Sequence, residues 1–274
     1  MIDVHVHIFP DGVAERAVGK LADAAGIQYF SDGTAQALCD SMRGAGVTTA
    51  VNLPVATKPE QVRGINRWIV GLSRAHPALT SFGAMHPRCE NPREEIAFLS
   101  EQGVKGIKLH PEYQDFYPDD DRCAQLYEAC RDYGVVVSFH AGVDLGFSCC
   151  HGTPGRFVPV LSIAGLNIIL AHMGGYRMWD AVERDLVGTR ALFDTSFSYE
   201  LGADRMRRLI TAHGPDKILF GTDSPWDNAT RMKAFITSLS LDPKTEQKIF
   251  TGNAEALLGM SAAGSGPHTN QSHH

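Results

Sequence analysis

The feature that most constrains the fold of this 274-residue chain is a regular alternation of short apolar runs with amphipathic stretches. Eight runs are rich in aliphatic residues, as buried parallel strands are, and each is followed by sequence with helical spacing. The strand candidates span residues 2–8, 47–53, 79–85, 104–109, 135–139, 166–171, 191–195 and 217–221. Such alternation predicts a parallel sheet with helices outside it, and eight units indicate a closed (β/α)8 TIM barrel of the α/β class.

Domain organisation follows from the length and from the absence of any linker. A barrel of this kind needs roughly 250 residues, so residues 1–260 are predicted to form a single domain. Residues 261–274 contain Gly, Ser, Pro, His and Asn without any periodic pattern. We expect this segment to be a disordered C-terminal tail.

Charge and hydropathy exclude several classes of partner. The net charge is −6 and no basic patch stands out, which argues against a nucleic-acid-binding protein. The apolar runs are far shorter than the ~20 residues of a membrane span, and no signal peptide is recognisable, so no membrane partner is predicted. The six cysteines form no CxxC pair and are interpreted as reduced thiols of a cytoplasmic protein. A small-molecule substrate and a homodimer are the default expectations.

Histidines mark the ends of the predicted strands, which is where active sites of such barrels lie. Six of the twelve histidines fall there, and Asp223 ends the eighth strand. His5 and His7 are two residues apart, so they point to the same face of the first strand. The six histidines are His5, His7, His86, His110, His140 and His172.

Three of these imidazoles and one carboxylate are predicted to form a metal site. His5, His7, His140 and Asp223 come from strands one, five and eight. A mixed nitrogen and oxygen shell favours Zn²⁺, and also suits Mn²⁺ or Fe²⁺. An open position would hold a water whose pKa is lowered toward ~7. The spacing leaves open whether one ion or two are bound.

The motifs at these positions resemble those of the amidohydrolase superfamily. They are HVH at 5–7, GIKLHP at 106–111, FHAG at 139–142, AHMGG at 171–175, FGTDSPW at 220–226 and GNA at 252–254. The resemblance is to the amidohydrolase-related (amidohydrolase 2) branch, which includes 2-amino-3-carboxymuconate-semialdehyde decarboxylase, and it covers nearly the whole chain. It implies that His5, His7, His140 and Asp223 bind the metal and that His172 transfers protons near the metal-bound water. Asp223 would also accept a proton, so His172 and Asp223 are the expected catalytic residues.

The fourth strand leaves two interpretations open. Lys108 and His110 are two residues apart and face the same side. The lysine is either carbamylated and bridges two metals, as in some members of the superfamily, or an ammonium that pairs with a substrate carboxylate or a nearby acid. His110 is interpreted as a substrate-binding residue in preference to a second-metal ligand.

The predicted function is hydrolysis of a small amide, lactone or ester by a metal-activated water. Non-oxidative decarboxylation of an unsaturated or aromatic acid is the alternative, since the same ligands serve both reactions. An arginine clamp for the leaving carboxylate would favour decarboxylation, but none is assignable, because Arg177 is interpreted as a solvated residue at a helix start. A scaffold without catalysis is a third hypothesis, against which the complete ligand set argues. The loops at 9–33, 111–120 and 143–154 are expected to shape specificity.

Overall fold

The computed structural model describes residues 1–260, so the predicted disordered tail at 261–274 lies outside the described residues. Eight parallel strands form the barrel, and the third consists of two segments. The strands are β1 (Ile2–Val6), β2 (Thr49–Asn52), β3 (Leu79–Ser81), β4 (Gly83–Ala84), β5 (Gly106–Leu109), β6 (Val136–Phe139), β7 (Ile168–Leu170), β8 (Leu192–Asp194) and β9 (Ile218–Leu219). The predicted (β/α)8 barrel is confirmed.

Hydrogen bonds between the first and last strands close the sheet. The strands pair in chain order in two groups, β1 to β3 and β4 to β9. Val4 N donates to Phe220 O at 2.9 Å, and Asp223 N donates to His5 O at 2.8 Å. The buried Asp3 carboxylate strengthens this seam, because it accepts hydrogen bonds from the His5 amide at 3.2 Å and the Thr222 hydroxyl at 2.6 Å. Closure therefore brings the ends of β1 and β9 together.

The predicted helices are present with shifts of a few residues at their ends. One further helix, α1, lies in the segment 9–33, which was expected to be a loop. Its buried residues Ala14, Val18 and Ala22 are spaced four apart, as on one face of a helix. Two of the three are small alanines, so the hydrophobic stripe is weak in the sequence. The predicted loop 111–120 likewise begins with a short helix, α5. The helices are α1 (Ala14–Ala25), α2 (Ala35–Ala45), α3 (Val62–Ala75), α4 (Pro92–Glu101), α5 (Pro111–Gln114), α6 (Ala124–Tyr133), α7 (Pro154–Leu161), α8 (Trp179–Asp185), α9 (Ala203–His213), α10 (Ala229–Ser238), α11 (Pro243–Gln247) and α12 (Asn253–Leu258). Between residues 1 and 260, none of them has both the length and the apolar character needed to cross a bilayer.

Gly142, two residues after His140, occupies a position that no other residue fits well. Its φ is 86°, and an added Cβ would lie 2.2 Å from Tyr176 N. We expect Gly142→Ala to lower the free energy of unfolding by about 2–4 kcal/mol, because it combines left-handed backbone with a clash against main chain. Urea unfolding measures this effect.

The matched control is Gly19→Ala in α1, where nothing lies within 4 Å of the added Cβ. That change should leave stability unaltered or raise it by up to ~1 kcal/mol, since alanine favours a helix interior. Equal effects of the two substitutions would contradict the steric argument.

Candidate active site

A cavity of about 430 Å³ opens at the carboxyl ends of the strands. Its base is polar and its walls are mostly aliphatic and aromatic. All seven residues singled out from the sequence line it, namely His5, His7, Lys108, His110, His140, His172 and Asp223. The fold therefore gathers them into one site.

Three of the four predicted metal ligands converge on one point. The Nε2 atoms of His5 and His7 are 3.2 Å apart. The Oδ1 atom of Asp223 lies 3.4 Å from His5 Nε2 and 3.1 Å from His7 Nε2. We call His5, His7 and Asp223 the ligand triad. The β1 pleat and the β1–β9 seam together produce this convergence.

The hydrogen bonds of His5 determine which of its nitrogens carries a lone pair. Nδ1–H donates to Asp194 Oδ2 at 2.9 Å, so Nε2 is unprotonated and faces the triad. Burial and, to a lesser extent, the nearby Lys108 charge lower the pKa of His5 to about 4 against the opposing effect of Asp194 and Asp223, so the ring is neutral at neutral pH. Burial by itself would raise the pKa of Asp194, but His5, His172 and Ser196 outweigh it and hold that carboxyl ionised.

His140 is not part of the ligand triad. It forms a pair with His172 instead. His172 Nδ1–H donates to Ser196 O at 3.0 Å, which leaves His172 Nε2 to accept from His140 Nδ1 at 3.1 Å. The remaining nitrogen of His140, Nε2, is buried and has no partner among residues 1–260. His172 contacts both groups, with ring centroids 5.3 Å from His5 and 4.9 Å from His140.

His110 and His140 stack face to face, with centroids 4.2 Å apart and planes 10° from parallel. His110 Nε2 lies 3.2 Å from Asp144 Oδ2 and its Nδ1 lies 3.5 Å from Glu112 Oε2. His110, His140 and Asp144 form a second set of possible ligands. Lone pairs of imidazole lie in the ring plane, so two parallel rings do not aim at a common ion.

Lys108 Nζ is buried and has no hydrogen-bond partner within the described part of the chain. Burial lowers the pKa of this ammonium to about 8, and the Asp194 and Asp223 carboxylates oppose that effect. The group is therefore a largely protonated cation at neutral pH, held at the base of the cavity.

The residues present fit a divalent cation. The lone pair of His5 Nε2 faces His7 Nε2 and a carboxylate oxygen, and a cation between these atoms would be stabilised by all three. Burial would raise the pKa of Asp223, yet His5, His7 and His172 hold it well below its usual range. Two imidazoles and one carboxylate are donors that suit Zn²⁺, Mn²⁺ or Fe²⁺.

The backbone is strained where the catalytic residues were predicted. His172 has a φ of 58° and Asp223 a φ of 70°, both in the left-handed region that non-glycine residues seldom adopt. The Asp194 carboxylate accepts from His172 N at 3.1 Å, and His5 O accepts from Asp223 N. Strain of this kind persists where surrounding contacts enforce it, which is common at functional sites.

The sequence did not show the full role of four polar residues around the predicted set. Asp194 falls within the strand candidate 191–195 and Glu112 within the predicted loop 111–120, and neither position by itself indicates a role. Asp144 and Ser196 were not identified, because loop residues follow no periodic pattern. The one indication in the sequence was that Asp194, like His172, lies at the end of a predicted strand, where active-site residues of such barrels are found.

The structure also places Trp226 of the FGTDSPW motif, the strand-end His86 and Arg177. Trp226 lines the cavity, with its ring 5.2 Å from that of His7. His86 is buried but is not among the cavity residues; its Nδ1 accepts from Arg88 N at 3.0 Å. Arg177 is half-exposed and pairs with Glu200 at 2.6 Å, so its guanidinium is engaged outside the cavity.

Comparison with known proteins agrees with the motifs and the barrel. The sequence model of the family described as Amidohydrolase matches residues 2–260. This chain belongs to the amidohydrolase family. It is therefore an enzyme of that superfamily, and the resemblance inferred from the motifs is confirmed. No curated protein matches the chain.

Among the solved structures of similar fold, some are named as decarboxylases and others as hydrolases. An uncharacterised TIM-barrel protein from Bordetella bronchiseptica is 17% identical with a TM-score of 0.73, and the match covers 94% of this chain and 99% of that one. A dihydroxybenzoic acid decarboxylase from Polaromonas sp., solved with manganese and 2-nitroresorcinol, is 16% identical with a TM-score of 0.71 and coverage of 96% and 97%. A Pseudomonas putida protein named for 2-pyrone-4,6-dicarboxylic acid hydrolase activity is 20% identical with a TM-score of 0.68 and coverage of 95% and 98%. At these identities the likeness concerns the fold alone.

Proposed function

We propose that this chain is a metal-dependent hydrolase that cleaves a small amide, lactone or ester. The observation that carries the proposal is the ligand triad, whose donor atoms lie 3.1–3.4 Å apart at the base of a cavity with apolar walls. A divalent cation held there would polarise a carbonyl oxygen and lower the pKa of a water molecule.

A single ion, with Zn²⁺ or Mn²⁺ as the candidates, is the stoichiometry that the geometry favours. The stacked rings of His110 and His140 are 10° from parallel, so they make a poor chelate for a second ion. The unpartnered Nε2 of His140 remains as a fourth donor for the same ion or for a water that the ion holds. Lys108 is then a free ammonium rather than a bridge between metals.

Proton transfer is assigned to Asp223 and His172. Asp223 is held ionised by its imidazole neighbours and belongs to the triad, so it accepts a proton next to the bound cation. His172 lines the cavity, its Nδ1–H is fixed by Ser196 O, and its unprotonated Nε2 accepts from His140 Nδ1. We assign it the role of second nitrogen base, which passes the proton to the leaving group once the contact with His140 is released.

Decarboxylation is a second candidate because of one observation, the unpartnered ammonium of Lys108 in the cavity base. That charge would neutralise a substrate carboxylate. Against it, none of the described residues that line the cavity is an arginine, so this lining offers no bidentate clamp of the kind that planar carboxylates favour.

The deciding experiment compares the two reactions on one preparation. Metal-free protein, prepared with a chelator, is reloaded with Zn²⁺ or Mn²⁺ and assayed on uncharged esters, lactones and amides and on aromatic acids. We expect hydrolysis that falls about 100-fold or more without metal and returns on reloading, with CO₂ release at background. Metal-dependent CO₂ release without hydrolysis would replace the hydrolase proposal with the second candidate.

A further inference from the structure

A buried carboxylate joins the two chain segments that follow β5 and β6. Glu112 lies in α5, and its side chain is buried. Its Oε1 atom accepts from His151 N at 2.9 Å and from Gly152 N at 3.1 Å, both in the segment 143–154 after β6. Burying a carboxylate is costly unless hydrogen bonds compensate it, and these two main-chain amides provide them.

The segment 143–154 is closed at its base and contacts α5 a second time. Gly142 N donates to Gly152 O at 2.8 Å, so the chain leaves β6 and returns at one point. The ring of Phe147 packs edge-on against that of Tyr113 in α5, with centroids 4.8 Å apart. Segment 143–154 and α5 therefore form one unit, and Glu112 makes the hydrogen bonds between them.

This unit forms part of the cavity surface. Three consecutive residues of the segment line the cavity, namely Val143, Asp144 and Leu145. His110 directly precedes α5, and its ring stacks on that of His140. Glu112 Oε2 lies 3.5 Å from His110 Nδ1, and neither atom has a hydrogen-bond partner within residues 1–260. A shift of Glu112 would therefore displace both the cavity wall and the stacked rings.

From these contacts we infer that Glu112 is a positioning residue for substrate binding. It holds the segment 143–154 against α5, so that Asp144 and its apolar neighbours stay fixed relative to the ligand triad. The role depends on the length of the side chain more than on its charge, because a shorter side chain would not reach both amides. The inference rests on the proposed function only in placing the substrate in this cavity.

Two conservative variants separate length from charge. Glu112→Gln keeps the length and an oxygen that accepts from both amides, whereas Glu112→Asp keeps the charge and withdraws its oxygens by about 1.5 Å. Hydrogen exchange of the metal-loaded protein, read by mass spectrometry of peptides that cover 143–154, measures the anchoring. We expect exchange in this segment to become about tenfold faster in Glu112→Asp and to change less than about threefold in Glu112→Gln.

Binding of acetanilide, an uncharged aryl amide, is the second measurement. Trp68 and Trp226 line the cavity, so their fluorescence should report the bound probe. We expect Glu112→Asp to raise the dissociation constant about tenfold at unchanged metal content, because the loosened wall must be ordered on binding. Glu112→Gln should raise it less than about threefold. Glu94→Asp, at an exposed position in α4, is the matched control and should change neither measurement.

The outcomes that contradict the inference are distinct from those that contradict the proposed function. If Glu112→Asp lowers only the global stability, with normal exchange in 143–154 and normal binding, the role is merely structural and the inference is wrong. Equal effects of Glu112→Gln and Glu112→Asp would also overturn it, because length would then not decide the contact. If the expected changes occur but no metal supports hydrolysis, the proposed function alone fails.

Discussion

Asp223→Asn is expected to abolish stoichiometric metal binding and to lower the hydrolytic rate by about a thousandfold or more. The variant removes the negative charge from the ligand triad and the base next to the bound cation. Asparagine is a suitable replacement because Asp223 has a φ of 70°, and asparagine tolerates left-handed backbone better than most residues. Metal content by mass spectrometry and the steady-state rate are the two measurements.

Asp204→Asn is the matched control, because Asp204 carries an 85% exposed carboxylate on α9. Its metal content and rate should equal those of the unchanged protein. The metal-free form of Asp223→Asn should unfold within about 1 kcal/mol of the unchanged metal-free protein, since the hydrogen bond from Asp223 to His5 O runs through its main-chain N and is kept in the variant. A variant that keeps one ion per chain and a rate within about tenfold would remove Asp223 from the site.

Asp194→Asn is expected to combine the loss of metal affinity with the loss of stability. Asp194 accepts from His5 Nδ1 at 2.9 Å, from His172 N at 3.1 Å and from Ser196 N at 3.0 Å, and it also accepts from the Ser196 hydroxyl. The NH₂ group of asparagine is a donor and would face at least one of these donors in a buried site. We expect this mismatch to lower the free energy of unfolding by about 3 kcal/mol. His5 would lose the partner that fixes its tautomer, so metal affinity should fall about 10–100-fold.

Ser196→Ala provides the graded comparison. It removes one hydroxyl that donates to Asp194 and leaves the carboxylate and its other donors in place. We expect a stability loss of about 1 kcal/mol and a smaller change in metal affinity. Unfolding of the metal-free proteins and competition for metal with a coloured chelator measure the two effects. An Asp194→Asn variant that is no worse than Ser196→Ala would show that the carboxylate does not orient His5.

The barrel and most of the site were accessible from local pattern. Strands buried on both faces read as aliphatic runs whatever lies around them, and the even spacing of β1 directs His5 and His7 to one side. Helix α1 was not predicted, because its buried face consists of Ala14, Val18 and Ala22 and differs little in hydropathy from its exposed face. Local pattern predicts an element only where the side chains differ enough in hydropathy.

The grouping of the histidines depended on distances between strands, which local pattern does not contain. His140 was expected beside His5, His7 and Asp223, whereas its ring stacks on His110 and hydrogen-bonds His172. The strand order places all of them in one cavity, but rotamers and loops decide which donor atoms meet. Asp144 is the clearest case, since a loop after β6 brings its carboxylate to His110.

By itself, the sequence of this protein determined the barrel, the edge on which the polar strand ends gather and the common side to which His5 and His7 point. These follow from strand periodicity and from the placement of polar residues at strand ends, both of which are local properties of the chain. Only the tertiary structure decided the tautomers of His5 and His172, the burial of the Lys108 ammonium without a partner and the apolar walls of the cavity. Those properties arise from contacts between residues far apart in the chain, where burial and the geometry of each partner set the charge and direction of every group.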